Sequence, residues 1–80
     1  MKVSFSTNSQ YLLDIIKTIT KANNIKSDIQ EFTHSTYITL FNVVNIDYNI
    51  EREVFIIAYN NIGIRIHMHE ITDMFIDTMQ

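Results

Sequence analysis

The chain has no cysteine, no proline and no tryptophan, and only one glycine in 80 residues. Without cysteine no disulfide can stiffen the fold, and a zinc site would have to be built from histidine and carboxylate ligands alone. A single glycine excludes the phosphate-cradling loops and the nucleophile elbow, which need glycines at fixed spacing. No apolar run approaches the ~20 residues of a membrane-spanning helix. The opening stretch MKVSFSTNSQ lacks the apolar core of a signal peptide, so a cytoplasmic protein is the default expectation. Basic residues are also scarce: four Lys and two Arg stand against nine acidic residues, a net charge of −3. A nucleic-acid-binding face gathers several Lys or Arg to neutralise phosphates, and their thin spread argues against direct nucleic-acid binding.

What is present suits one folded domain. Hydrophobic residues make up 46% of the chain and charged residues 19%, the balance of a globular protein rather than a disordered tail. A chain of this size buries roughly 60 to 65% of its unfolded surface, so self-association is a common extra support.

The stretch from Val54 to Met68 is the one around which the fold is expected to organise. Asn60 and Asn61 followed by Ile62-Gly63 read as a tight turn between two strands, with residues that tolerate positive φ at its centre. Ile62, Ile64, Ile66 and Met68 alternate with Gly63, Arg65 and His67. Before the turn both faces are apolar: Val54, Ile56 and Ala58 on one, Phe55, Ile57 and Tyr59 on the other. Such a strand is expected mid-sheet, covered on both sides.

Lys2 to Phe5 predicts a short first strand. Thr7 and Gln10 have capping-box spacing, and a helix is expected from about Asn8 to Ala22. Tyr11, Leu12, Ile15, Ile16, Ile19 and Ala22 form its apolar stripe, and Leu13 falls outside it. Asn23-Asn24 supplies the stop. Ile25 to His34 and Thr36 to Val44 predict strands, Asn45 to Asn49 a polar turn, and Glu51-Arg52-Glu53 the opening of the next strand. The last segment, 69–80, predicts a second helix: Glu70, Asp73 and Asp77 share a polar stripe while Ile71, Met74, Phe75, Ile76 and Met79 span a wide apolar arc. The fold class is therefore α+β, a mainly antiparallel sheet of four or five strands with two helices in the order β-α-β-β-β-β-α.

Few clusters carry chemistry. His67-x-His69-Glu70 followed by Asp73 has metal-ligand side chains, yet His and acidic residues are common at a helix start without any metal. Asp28, Glu31 and His34 form no recognisable catalytic arrangement, and no enzyme is expected. Tyr37-Ile38-Thr39-Leu40-Phe41 resembles the Q-L-S/D-L-F peptide with which bacterial proteins engage the sliding-clamp pocket, departing at its first position where Tyr replaces Gln. The same five residues fit a core strand.

By elimination the sequence points to a small non-enzymatic module that binds another protein, with no cofactor. Glu70, Asp73 and Asp77 would orient the partner, and Ile76 and Leu13, outside the stripes that one core would bury, would supply apolar contact. Surplus apolar surface also predicts a homodimer. Isoleucine outnumbers leucine fifteen to three and asparagine is common, a bias of AT-rich coding. Small proteins of this composition resemble phage factors that inhibit a host protein. The alternatives are a nucleic-acid-associated or clamp-binding module and a His/carboxylate metal protein.

Overall fold

Two antiparallel sheets and one helix enclose the core in the computed structural model, which describes residues 1–78. The elements run β1 (Lys2–Thr7), α1 (Gln10–Ala22), β2 (Ser27–Glu31), β3 (Thr36–Leu40), β4 (Asn45–Asn49), β5 (Val54–Ala58), β6 (Gly63–His67), a 3-10 turn (Met68–Glu70) and β7 (Thr72–Asp77). One sheet has the order β2-β3-β1-β7 and the other β4-β5-β6. The α+β class and the antiparallel pairing agree with the sequence reading. The finer arrangement does not, since there are two sheets instead of one and one helix instead of two.

The larger sheet is centred on β1 and β3. Val3 lies opposite Leu40 and Phe5 opposite Ile38, all four fully buried. On the other face Ser4 lies opposite Thr39, their hydroxyls 3.0 Å apart, and Ser6 lies opposite Tyr37. Apolar residues inward and hydroxyl residues outward are the alternation of a sheet with one core face. Onto that face pack Leu12, Leu13 and Ile16 of α1 and Ile57, Ile64 and Ile66 of the second sheet, one continuous cluster.

The helix begins two residues later than expected. Its N-cap is Ser9, whose Oγ accepts from Leu12 N–H at 3.1 Å, because Thr7 belongs to β1. The stop is as read: Asn23 is the C-cap and Asn24 has φ 53°. The buried stripe is Leu12, Leu13, Ile16 and Thr20, rotated by about 80° from the expected one at 100° per residue. Leu13 is therefore core, only 2% exposed, whereas Tyr11 is 73% exposed. Thr20 is tolerated inside because its hydroxyl donates back to the Ile16 carbonyl at 2.8 Å.

The hairpin forms, with β5 central in its sheet as expected. Only Ile57 of this strand joins the core cluster, so the two-sided cover does not hold. Asn60 and Asn61 sit at the tip, where Tyr59 N–H donates to the Ile62 carbonyl at 2.8 Å, and neither has positive φ. Nor does Gly63. Its missing side chain serves close approach instead: a Cβ there would stand 3.1 Å from Ile56 Cγ2.

Two segments differ in kind. Asn45–Asn49, expected as a turn, is β4, paired with β5 from Asn45↔Ala58 to Asn49↔Val54. The turn lies over 50–53, where Glu53 has φ 53° and Asn49 Oδ1 accepts from Arg52 N–H at 3.0 Å. The expected C-terminal helix is absent over the described part. Beyond the 3-10 turn the chain extends as β7 along the open edge of β1, Lys2↔Asp77 through Ser6↔Thr72, with a bulge between Ser4 and Ser6. Edge pairing satisfies a row of β1 backbone groups that a helix would leave unbonded. Met79 and Gln80 of the expected helix lie outside the described residues. No helix among the described residues is long and apolar enough to cross a membrane.

Candidate functional site

The C-terminal segment that the sequence marks for a partner is an edge strand. β7 is bonded to β1 on one side and borders no strand on the other among the described residues. Ile76 lies opposite Val3 and so points to the core side of the sheet, though it remains 47% exposed; Phe75 lies opposite Ser4 on the hydroxyl-lined side and is 71% exposed. These two side chains straddle the strand.

The carboxylates do not form the helical stripe expected of them. Glu70 ends the 3-10 turn, its Oε1 accepting from His67 N–H at 3.2 Å. Asp73 occupies the bulge with φ 53°, a left-handed conformation that Asp tolerates better than most residues. Asp77 Oδ2 lies 4.0 Å from Lys2 Nζ. Thus Asp73, Asp77, Phe75 and Ile76 share one edge, Glu70 sits just before it, and Leu13 is elsewhere, inside the core. Of the two apolar members Phe75 is the more exposed, whereas the helical arc expected from the sequence would have half-buried it.

Other concavities answer the remaining candidates. His34 and His69 with Glu70, Thr7 and Ser35 line a cleft of about 190 Å³. The His67 and His69 rings are 5.5 Å apart and tilted by 35°. Among the described residues no three His, Cys, Asp or Glu side chains are grouped to hold a metal ion. Asp28 accepts from Gln30 Nε2 at 3.2 Å and Glu31 faces Lys17 at 3.7 Å, so neither is directed at His34. The clamp-peptide-like stretch is β3 and its end, with Ile38 and Leu40 fully buried.

A further cleft of about 200 Å³ is lined by Asn24, Asn42, Asn61, Lys26, Phe41 and Tyr59. Two of its polar side chains are engaged in the fold. Lys26 Nζ sits 4.9 Å from the centre of the Phe41 ring, and the Tyr59 hydroxyl donates to the Phe41 carbonyl at 2.9 Å. Burial pushes the Tyr59 phenol up from its ordinary 10.0 to about 12.

No protein-family model matches the chain, and no curated protein and no solved structure shows significant similarity to it.

Proposed function

We propose that this chain is a small non-enzymatic protein-binding module and that its partner docks on β7. The observation that carries the reading is the open edge of that strand, with Phe75 and Ile76 exposed on its two faces. An extended segment of a partner can add to such an edge through backbone hydrogen bonds, while pockets for alternate side chains set specificity. Asp73 and Asp77 favour a segment carrying Lys or Arg beside apolar residues.

A second copy of the chain is the less favoured occupant. Edge pairing of two copies through β7 would bring acidic edges together, and the other edge strand of the sheet, β2, carries Asp28 and Glu31. The dimer expected from the sequence relied on Leu13 and Ile76, and Leu13 is spent on the core. The narrower form of the proposal, a phage-type inhibitor of a host protein, is supported by composition alone.

The test is affinity capture from a host lysate, repeated with Phe75→Asp, with Ile76→Asp, and with Glu70, Asp73 and Asp77 changed together to Lys. The expected outcome is one enriched protein, lost in all three variants, whose binding slows amide exchange across 72–77. A partner retained equally by every variant would remove β7 from the interface. Capture of the chain's own second copy alone would replace the proposal by self-association.

A further inference from the structure

The only two arginines of the chain, Arg52 and Arg65, line one concavity of about 320 Å³ on the outer face of the second sheet. Asn49 and His67 flank them, and Val54 and Ile56 form the floor. The register explains the grouping. Asn49, Val54 and His67 lie in one row across the three strands and Ile56 pairs with Arg65 in the next, all on the face opposite buried Ile57. Arg52 comes from the 50–53 turn, which Asn49 Oδ1 holds in place by accepting its backbone N–H. With that oxygen occupied, the Asn49 amide nitrogen is left as a donor.

Every polar side chain of this concavity can therefore donate a hydrogen bond, and none is a carboxylate, in a chain whose net charge is −3. Neither guanidinium makes an ion pair among the described residues; the ion pairs there are Lys2 with Asp77 and Lys17 with Glu31. Asp47, on the same face, is separated from Arg65 by Ile56, two strand spacings or roughly 10 Å. Its Oδ1 accepts from Asn45 Nδ2 at 3.3 Å. An exposed arginine alone is ordinary, but here two share an apolar floor whose lining holds no carboxylate, the nearest acidic residues in sequence being Glu51 and Glu53 on either side of Arg52, with which it makes no ion pair.

We propose that this concavity binds a phosphate monoester with an apolar or aromatic body. The phosphate lies between Arg52 and Arg65 within reach of Asn49 and His67, and the body rests on Val54 and Ile56. Donors arriving from β4, the turn and β6 suit tetrahedral oxygens that accept from several directions. A planar carboxylate is matched by a single guanidinium fork and uses fewer of them. The site goes beyond the docking edge and stands or falls independently of it.

Phenyl phosphate is the probe, followed by amide NMR on the whole chain. Saturable shifts confined to Asn49, Arg52, Val54, Ile56, Arg65 and His67 are expected. Inorganic phosphate and benzoate should each bind more weakly, the first for want of a body and the second for want of tetrahedral oxygens. Arg52→Gln and Arg65→Gln should each weaken phenyl phosphate by about tenfold or more, as loss of a charge-assisted bond does. Lys21→Gln, on the helix, should leave affinity unchanged. Both arginines are exposed, so a preserved spectrum of the free variants verifies the fold. Absent or dispersed shifts, equal binding of benzoate, or an equal effect of Lys21→Gln would each overturn the site.

Discussion

Thr7 Oγ1 donates a 2.6 Å hydrogen bond to the backbone carbonyl of Glu70. The same oxygen accepts from Ser9 N–H at 3.0 Å, so one hydroxyl joins the end of β1, the start of α1 and the 3-10 turn that brings the chain back to the first sheet. Thr7 is buried, and water has little access to replace what it provides. Thr7→Val should lower unfolding stability by about 1–3 kcal/mol, because it removes two part-buried hydrogen bonds, each worth about 0.5–1.5 kcal/mol. Thr7→Ser keeps the oxygen and should recover most of the loss in urea denaturation.

Gly63 and Ile56 make a second tight relationship. A Cβ at Gly63 would stand 3.1 Å from Ile56 Cγ2, and a β-branched side chain in a strand has little freedom to turn aside. Gly63→Ala should therefore cost about 1 kcal/mol despite the usual benefit of removing a glycine from a strand. In an Ile56→Leu background, where the branch is moved one carbon outward, the same substitution should be neutral. A thermal-melt double-mutant cycle with no coupling between the two positions would contradict this.

Leu13 and Ile76 should part company. Leu13→Ala opens a cavity in the core cluster and should cost about 2–5 kcal/mol. Ile76→Asp lies on an exposed edge and should change stability by no more than about 1 kcal/mol while reducing partner capture. Equilibrium unfolding of both variants distinguishes the two roles, and near-equal losses would show that the edge is structural.

Alkaline conditions should test Tyr59. The folded state holds the phenolic proton more tightly than the unfolded chain, with a pKa of about 12 against the ordinary 10.0. Its contribution is then fully present below pH 10 and is lost as pH rises through about 12. Tyr59→Phe should be less stable at neutral pH, since the Phe41 carbonyl loses its donor, and should lack this share of the alkaline decline. Stability curves that keep the same separation from the parent throughout that pH range would refute the assignment.

The parts of the fold legible in the sequence were those where composition and period agree. The β5–β6 hairpin carries alternating isoleucines, and α1 carries apolar residues at helical spacing with two asparagines at its end. β4 was hidden because Asn45, Asp47 and Asn49 all face outward from an edge strand, leaving Ile46 as the one member of NIDYN packed against the core. β7 was hidden by its bulge. Asp73 adds a residue opposite Phe5, so Ile71, Met74 and Ile76 reach the core side at spacings of three and two that imitate a helix. The stripe on α1 was misplaced because a core threonine reads as surface, while Tyr11 reads as core. Of the residues expected at a partner surface, Asp73, Ile76 and Asp77 lie on β7, Glu70 lies just before it, and Leu13 lies in the core, where the displaced α1 stripe puts it.

β1 lies between β3 and β7, so its two neighbours in the sheet come from the middle of the chain and from its far end. The second sheet, built from consecutive strands, can close through local turns alone. Matching Val3 with Ile76 instead requires almost the entire intervening polypeptide to be in place. Long sequence separation between contacting residues slows folding, since loop-closure entropy is lost before the contact forms. The order implied is a quickly formed three-stranded unit, then closure of β7 onto β1 as the late event. Until that closure the β7 side of Val3 and Phe5 stays wet, and an intermediate of this kind would bind hydrophobic dyes, slow its last kinetic phase on Ile76→Asp, and leave the hairpin amides protected first.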